Sequence, residues 1–140
     1  MEIIFDKYHG TGNDFIILDN RDGRYSGLKD HTFKAFCNRY KGIGADGTIL
    51  LQERSGVDFE MLYFNADGNQ SSFCGNGARC LVAYAHKKGI INKRTKFKAK
   101  DGIHEAILLS TNQVRLNIKD VSSLEKYKDA VLINTGSPHY

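Results

Sequence analysis

The strongest constraint on the fold is a segment from residue 75 to residue 88 that has helical character but almost no polar face. Arg79 is the only polar residue between positions 78 and 85. A helix that is apolar on all sides must be covered on all sides. The segment closes with two lysines followed by Gly89, which is typical of the end of a helix. We therefore predict a helix over 75–88 that lies inside the molecule.

Most of the remaining chain alternates apolar and polar side chains with a period of two, which is typical of half-buried strands. In the clearest case, Thr95, Phe97 and Ala99 alternate with three lysines. Asp101-Gly102 joins two such segments and indicates a hairpin. Strands are predicted at 57–64, 95–100, 103–109 and 114–118, the third having the alternate set Ile103, Glu105, Ile107 and Leu109. Shorter candidates lie at 3–5, 15–19, 48–52 and 130–134.

A second helix is predicted over 29–40, because apolar residues three or four positions apart form one stripe. The stripe consists of Phe33, Phe36, Cys37 and Tyr40. One buried helix, one amphipathic helix and many short strands predict an α+β fold. We expect a mostly antiparallel sheet that is wrapped around the central buried helix.

Composition and charge exclude several classes of protein. The chain of 140 residues is 41% hydrophobic and 26% charged, which is ordinary for a single globular domain. Its net charge of +4 is too small to require a nucleic-acid partner. No apolar run reaches the ~18 residues that cross a bilayer, and the first residues do not resemble a signal peptide. Three cysteines are too few for a disulfide scaffold, so we expect a reducing, cytoplasmic setting.

Eight of the fourteen glycines lie in three clusters, at residues 9–14, 42–47 and 65–77. Glycine permits positive φ and a close approach of the backbone to a ligand. Glycine with Asn or Asp is also ordinary turn chemistry, so each cluster alone fits a turn. Three such clusters together indicate that at least one lines a site. The 42–47 cluster fits G-x-G-x-x-G, but it follows a helix and opens a strand, which excludes a nucleotide-binding loop.

Cys74 lies at the head of the predicted buried helix, followed by Gly75 and Gly77. The first N–H groups of a helix have no internal partner, and together with the helix dipole they favour an anion. A thiol in this position is expected to have a lowered pKa. Two interpretations remain open: a nucleophile or base beside a carboxylate-binding turn, or a small buried residue at a helix start.

The other cysteines, the lysines and the histidines point to structural roles. Cys37 falls in the apolar stripe and is predicted to be core, and Cys80 is too far around the helix from Cys74 for a disulfide. No spacing of cysteine and histidine predicts a zinc site. The lysines of 93–100 are expected to form the solvated face of a strand. Turn or surface positions are expected for His9, His31, His86 and His104.

Several segments resemble the diaminopimelate epimerase family in order and spacing as well as in residues. The most specific is the string CGNGARC from Cys74 to Cys80, preceded by FNADG at 64–68, GIGAD at 42–46 and YHGTGNDF at 8–15. TGSPH at 135–139 resembles the family's linker into its second half. The resemblance therefore implies an N-terminal epimerase domain at 1–134, with 135–140 starting a linker to an absent C-terminal domain.

The resemblance implies a cofactor-independent, cytoplasmic isomerase that interconverts LL- and meso-2,6-diaminopimelate for lysine and peptidoglycan synthesis. In the family, two cysteines face the α-carbon of the substrate from opposite sides, in a cleft between two similar domains. Carried over by position, Cys74 is one of this pair, and His139 tunes the thiol pKa values. The small-molecule substrate would be held by Asn13, Asn65, Gly75 and Asn76. We expect no bound metal and no nucleic-acid partner. A homodimer that forms through the exposed interdomain face is a further candidate assembly.

Two positions depart from the family pattern, and the resemblance covers only about the N-terminal half of the family's enzyme. Gly47 stands where the family often has a substrate-contacting glutamine, and Ser137 stands where it commonly has an asparagine. Neither Cys37 nor Cys80 matches the second catalytic cysteine, so we expect the chain alone to fold without epimerising its substrate. Two alternatives are a proline or hydroxyproline racemase-like enzyme of the same fold, and a small basic nucleic-acid-binding domain that uses the lysines of 93–100.

Overall fold

The computed structural model describes residues 2–139, and the side chains of all of these except Tyr127, Pro138 and His139. This part of the chain forms two helices and ten strands. The helices are α1 (Asp30–Cys37) and α2 (Gly75–Lys87). The strands are β1 (Asp6–Gly10), β2 (Asn13–Asp19), β3 (Gly47–Gln52), β4 (Phe59–Asn65), β5 (Arg94–Ala99), β6 (Gly102–Ser110), β7 (Gln113–Leu116), β8 (Glu125–Tyr127), β9 (Ala130–Asn134) and β10 (Pro138–His139).

Within residues 2–139, seven strands form one mixed sheet in the order β1 to β7. Strands β2 and β3 run parallel, as do β4 and β5, whereas the other four neighbouring pairs are antiparallel. Each parallel pair needs a long crossover, and these crossovers contain α1 and α2. The prediction of an α+β fold with a mostly antiparallel sheet is confirmed. Strands β8, β9 and β10 form a separate antiparallel sheet.

Helix α2 lies at the centre of the main sheet. It contacts β1, β2, β3, β4, β6 and β7. Its apolar residues Ala78, Leu81, Val82 and Ala85 are completely buried. The predicted central helix is therefore confirmed, and it ends one residue before the predicted boundary.

Strand β2 is buried on both faces because a helix covers each side of the sheet there. Phe15 and Ile17 belong to the core around α2, whereas Ile16 and Leu18 pack in a second cluster with Cys37 and other residues of α1. The continuous apolar run of this strand follows from that double burial. The prediction that Cys37 is a core residue is confirmed.

Helix α1 is shorter than predicted, because it ends at Cys37 rather than at residue 40. The 42–47 glycine cluster folds back onto this end of the helix. The N–H of Gly44 donates to the carbonyl of Phe36 over 2.9 Å, and the next N–H donates to the carbonyl of Cys37 over 3.2 Å. Tyr40, which was predicted to belong to the apolar stripe, lies beyond the helix and is 99% exposed. The cluster thus serves to cap α1 and to enter β3.

The prediction of a strand at 3–5 is wrong, since β1 begins at Asp6. Strands β1 and β2 are joined by Thr11-Gly12, which have φ values of 53° and 86°. Positive φ at both residues is typical of a type I′ hairpin turn, which matches the twist of the strands that it joins. This turn fixes the hairpin register and leaves Ile4 and Phe5 outside the strand and exposed.

The alternation in β6 suggested that the face with Ile103, Ile107 and Leu109 is buried, but the structure buries the opposite face of this strand. Ala106 and Leu108 are buried, whereas Ile103 is 54% and Leu109 48% exposed. The turn at Asp101-Gly102 pairs Ala99 with Gly102 and so sets the register that turns the even-numbered residues inward. The other predicted strands, apart from the one at 3–5, agree with the observed ones within a few residues.

The prediction of a surface position for His104 is also wrong, since this residue is only 4% exposed. Its ring stacks on Phe73 with 4.1 Å between ring centroids, and on Phe97 with 5.5 Å. Nε2 of His104 lies 2.7 Å from Oδ1 of Asp101, and Nδ1 lies 2.9 Å from the carbonyl oxygen of Asn117. This stack holds Phe73, the residue that directly precedes Cys74.

Candidate active site

Cys74 is the N-cap residue of α2. Its backbone is extended, with φ −119° and ψ 114°, and its carbonyl accepts the N–H of Ala78 over 2.9 Å. Its Sγ accepts the N–H of Gly77 over 3.4 Å, which satisfies one of the free donors in the first turn. The space at Gly77 is small, because a Cβ at this position would lie 3.0 Å from the Cδ1 atom of Ile49 and 3.5 Å from Sγ of Cys74. The half-buried thiol therefore lies at the helix terminus, as its place in the sequence predicted.

A cavity of about 460 Å³ opens in front of this thiol. It lies where the start of α2 meets β2, β4 and the chain just before β10. Cys74, Gly75, Asn76 and Asn13, four of the predicted site residues, line it together. The other lining residues are Tyr63, Ser71, Ser72, Phe73, Arg79, Ile118, Thr135 and Ser137.

The β1–β2 hairpin brings Asn13 to the cavity. Asn13 pairs with Gly10 directly after the type I′ turn, so its position follows from the turn geometry. A Cβ on Gly10 would lie 3.4 Å from Cβ of Asn76, which places the end of β1 against the first turn of α2. The side-chain amide of Asn13 acts on the Cys74 thiol as a hydrogen-bonding group that lowers its pKa and so favours its ionised form. The first glycine cluster is thus a turn that also positions a cavity residue.

Burial raises the pKa of Cys74 above its ordinary value, so the prediction of a lowered pKa is wrong. Hydrogen bonds from the N–H groups of Gly77 and Asn76 and from Asn13 act in the opposite direction, but they do not offset the loss of solvation. Asp46 adds a smaller unfavourable charge interaction. Without a ligand, this thiol is therefore protonated near neutral pH.

Two predicted site residues, Asn65 and His139, are not among the described residues that line the cavity. Asn65 ends β4 opposite Gly47, and its N–H and carbonyl form hydrogen bonds with Asn69 and Gly68 in the turn that follows. Asn65 is not among the residues that line the cavity. The backbone of His139 belongs to β10, but its side chain lies outside the described residues, so its predicted effect on the thiol stays a prediction.

Ser137 connects the end of the chain to the loop that precedes Cys74. Its hydroxyl donates to the carbonyl of Phe73 over 2.6 Å and forms a second, short hydrogen bond with the hydroxyl of Ser72. The proton of Ser137 is thus already used inside the protein. This residue therefore shapes the wall of the cavity and is not a free donor for a ligand.

The other two cysteines do not reach this cavity. Cys37 and Cys80 are 4% and 5% exposed, and neither lines the cavity. Burial raises the pKa of Cys80 to about 11 and also raises the pKa of Cys37. Among residues 2–139, no group of three or more His, Cys, Asp or Glu side chains is arranged to share a metal ion. Within the same residues, neither helix is long and apolar enough to cross a membrane.

Sequence analysis missed two functional groups in the cavity wall. Arg79 is exposed on α2 and brings a guanidinium group within 3.4 Å of where a Cβ on Gly75 would lie. Tyr63 of β4 was interpreted only as part of a half-buried strand, yet its side chain lines the cavity. Arg79 is part of the CGNGARC string and was recognisable from it. For Tyr63, the available signal is its place two residues before Asn65, on the same face of β4.

Residues 5–123 match a family model described as diaminopimelate epimerase. The diaminopimelate epimerase of Flavobacterium psychrophilum is 47% identical over 134 residues, which cover 96% of this chain and 52% of that protein. The diaminopimelate epimerase of Chlorobaculum tepidum is 42% identical over 137 residues, which cover 93% of this chain and 53% of that protein. The chain thus spans about half the length of the curated relatives that it matches.

Solved structures with much lower sequence identity share the fold. A probable proline racemase from Agrobacterium radiobacter superposes with a TM-score of 0.64 at 14% identity, over 94% of this chain and 48% of that one. A hydroxyproline epimerase from Agrobacterium vitis gives a TM-score of 0.60 at 12% identity, over 92% of this chain and 46% of that one. These likenesses concern the fold alone. Since the family model matches most of its length, this chain belongs to the diaminopimelate epimerase family, a family of lysine-biosynthesis isomerases.

Proposed function

We propose that the cavity at the start of α2 forms one half of a cofactor-independent epimerase site that interconverts LL- and meso-2,6-diaminopimelate. The observation that carries the proposal is the position of the Cys74 thiol, at the N-cap of α2 and on the wall of a cavity that Asn13 and Asn76 also line. Membership of the diaminopimelate epimerase family supports the choice of substrate. It favours this function over a racemase acting on proline.

In the proposed reaction, Cys74 exchanges a proton with the α-carbon of the substrate. When the thiolate acts as base, the C–H bond breaks, its electron pair stays on carbon and an S–H bond forms. A second acid on the opposite face then donates a proton to the carbanion, which inverts the stereocentre. In the reverse direction the Cys74 thiol donates and the second group abstracts. The developing charge next to the carboxylate requires fixed donors and dipoles close by.

The first turn of α2 offers such donors. The backbone N–H groups of Gly75 and Asn76 belong to this turn and have no partner further back in the helix, although that of Asn76 also acts on the thiol of Cys74. With the positive end of the helix dipole they suit the α-carboxylate of an amino acid. We assign the side chains of Asn13 and Asn76 to the substrate's polar groups. Asn65 would contact only a part of the substrate that extends beyond the cavity towards the end of β4.

The raised pKa of Cys74 fits this role if the substrate itself changes the thiol's ionisation. A protonated thiol is ready to donate a proton but is a poor base. The substrate's α-ammonium group would bring a positive charge next to Sγ and so lower the pKa of the thiol. The base would then form only in the occupied site. His139 remains our candidate for a further influence on this pKa.

The second acid must come from outside the residues described. Cys37 and Cys80 are buried and lie away from the cavity wall. We therefore propose that a second domain supplies the opposing thiol, in keeping with relatives about twice as long as this chain. The 140 residues alone are expected to bind without epimerising. We extend the proposal to a cytoplasmic setting, as the resemblance to the family implies.

Protection of Cys74 from iodoacetamide tests binding by this half-site. Mass spectrometry of the native chain should place the adduct on Cys74 and leave the two buried cysteines unmodified. Diaminopimelate should slow this alkylation with saturation, whereas a Cys80→Ala variant should behave as the unsubstituted chain does. Alkylation that is equally fast at every diaminopimelate concentration would contradict the proposal.

Exchange of the substrate's α-proton in D₂O tests the catalytic part. The 140-residue chain should show no exchange above the uncatalysed rate when LL-diaminopimelate is followed by proton NMR. Turnover by this chain alone would refute the need for a second domain. In a protein that includes both domains, Cys74→Ala should abolish exchange in both directions, and retained activity would refute the role of Cys74.

A further inference from the structure

Tyr63 occupies the space that a side chain at position 47 would need. A Cβ on Gly47 would lie 2.4 Å from Cε2 and 3.0 Å from Oη of Tyr63, and 2.7 Å from the carbonyl oxygen of Phe64. Contacts this short do not occur between real atoms, so a side chain at 47 and the Tyr63 ring exclude each other. The glycine therefore allows a tyrosine side chain to lie over the start of β3.

The ring is held in this place from two sides. Tyr63 pairs with Ile49 across β3 and β4, while Gly47 pairs with Asn65 one step further along the same face. The ring of Phe15 packs edge-on against Tyr63, with 5.9 Å between centroids and an interplanar angle of 75°. The side chain thus leans along the strand towards the end of the sheet where the cavity opens. Its position is fixed by packing before any ligand binds.

The hydroxyl of Tyr63 is the part of this side chain that remains available. The half-buried side chain lines the cavity together with Cys74 and Asn13. Among residues 2–139, no hydrogen bond is formed by the Tyr63 hydroxyl, and no side-chain nitrogen or oxygen is both buried and unsatisfied. The hydroxyl is therefore open to the cavity contents. A phenol fixed at its ring and free at its oxygen is suited to contact a ligand.

We propose that the Tyr63 hydroxyl donates a hydrogen bond to a carboxylate of the bound substrate and helps to determine which dicarboxylic amino acids the cavity accepts. This inference rests on the proposed function, because it assigns a further contact in the same site. The donor takes the place of any contact from position 47, which has no side chain. The gap that Gly47 leaves in the binding surface is thereby filled from the neighbouring strand.

The electrostatic setting keeps Tyr63 a donor. Burial raises the pKa of Tyr63 to about 12, and the nearby Cys74 and Asp46 act in the same direction. The hydroxyl therefore keeps its proton at neutral pH. Hydrogen bonds from a neutral donor to a carboxylate are short and strong compared with those between two neutral groups. An ammonium group, which only donates, would have to use the weaker acceptor capacity of the phenol oxygen.

The test compares Tyr63→Phe with the unsubstituted chain in the Cys74 protection assay. The ratio of alkylation rates with and without diaminopimelate gives a dissociation constant that does not depend on the intrinsic reactivity of the thiol. Tyr63→Phe keeps the ring over Gly47, so the melting temperature should not change. The dissociation constant should rise about tenfold, the factor expected for one lost hydrogen bond to a charged group. Tyr8→Phe, which removes the hydroxyl of a tyrosine that does not line this cavity, is the matched control and should leave binding unchanged.

A dissociation constant for Tyr63→Phe within about twofold of the unsubstituted value, well below the expected tenfold change, would overturn the inference while leaving the proposed function intact. An equal loss in Tyr8→Phe would overturn it too, because the effect would not be specific to the cavity. Absence of protection in the unsubstituted chain would refute the proposed function and this contact with it. L-Lysine, which lacks the distal carboxylate, shows which carboxylate Tyr63 contacts. If Tyr63→Phe binds both diaminopimelate and L-lysine more weakly, the contact is to the α-carboxylate. If it binds only diaminopimelate more weakly, the contact is to the distal carboxylate.

Discussion

Replacement of Asn13 by alanine should raise the pKa of Cys74 further. The pKa of this thiol reflects a balance between burial, which raises it, and three hydrogen-bond donors, which lower it. Asn13 is the only side chain among those donors, so it can be removed without disturbing the backbone of α2. A net hydrogen bond to a charged group contributes about 1.5 kcal/mol, and 1.36 kcal/mol corresponds to one pKa unit. Asn13→Ala should therefore raise the pKa of Cys74 by about one unit.

The reaction of Cys74 with dipyridyl disulfide, measured against pH, provides the assay. The midpoint of the rate profile reports the pKa of the thiol, and it should lie above that of the same thiol in the chain unfolded by guanidinium. In Asn13→Ala the midpoint should move up by about one unit. Because a more basic thiolate is also more nucleophilic, the rate at neutral pH should fall only about three- to fourfold.

Two further variants separate electrostatics from access. Asn13→Asp has nearly the same shape and places a negative charge beside the thiol, so its midpoint should rise at least as far. Asn112→Ala, in the exposed β6–β7 turn, should leave the midpoint where it is. A slower reaction with an unchanged midpoint would mean that Asn13 controls only the access to Cys74. A lower midpoint in Asn13→Ala would refute the assigned balance altogether.

Three further substitutions test the framework of the site by chemical denaturation. Asp14 accepts hydrogen bonds from Arg39 and Lys7, which hold its pKa well below the usual range, so Asp14→Asn should cost about 1–2 kcal/mol at pH 7. The stabilisation that ionised Asp14 provides is present above its pKa in the unfolded chain, near 4, and is lost as pH falls. Between about pH 4 and 2, the Asp14→Asn variant should therefore lose less stability than the unsubstituted chain. Gly68→Ala should cost more than about 2 kcal/mol, because Gly68 has φ +92° and a Cβ there would lie 2.0 Å from a carbonyl oxygen of α1. Gly56→Ala is the matched control: Gly56 has a similar φ of +87° but open space around it, so this change should cost only about 1 kcal/mol. His104→Leu should cost about 2–4 kcal/mol because it leaves the largely buried Asp101 carboxylate without its partner, and an equally stable variant would show that the pair is unimportant.

The sequence was most informative where local chemistry alone determines structure. The helix at 75–88 was predictable because a segment without a polar face has no stable place outside a core. The position of Cys74 at the head of this helix was predictable because Gly75 and Gly77 mark a turn in which backbone N–H groups are exposed. Both inferences depend on neighbours within a few residues. The structure changes the predicted end of the helix by only one position.

Predictions failed where partners distant in sequence decide the outcome. The alternation in β6 allowed either face to be buried, and the register set by the turn at Asp101-Gly102 selected the face with His104. A buried histidine is acceptable there only because Phe73, Asp101 and the carbonyl of Asn117 surround it. None of these partners is recognisable from the residues next to His104. The same holds for Tyr63, whose role depends on the empty position of Gly47 in the neighbouring strand.

The ionisation of Cys74 shows why a motif can locate a reactive group without fixing its chemistry. The helix terminus lowers the thiol's pKa and burial raises it, and the two effects differ in origin. The first follows from the sequence at 74–77, whereas the second depends on how closely β2, β4 and the chain around Ser137 approach the sulfur. Burial prevails in this structure, so the resting group is a thiol. In the proposed reaction this order is useful, since a base that forms only beside the substrate's ammonium group is protected from reaction while the site is empty.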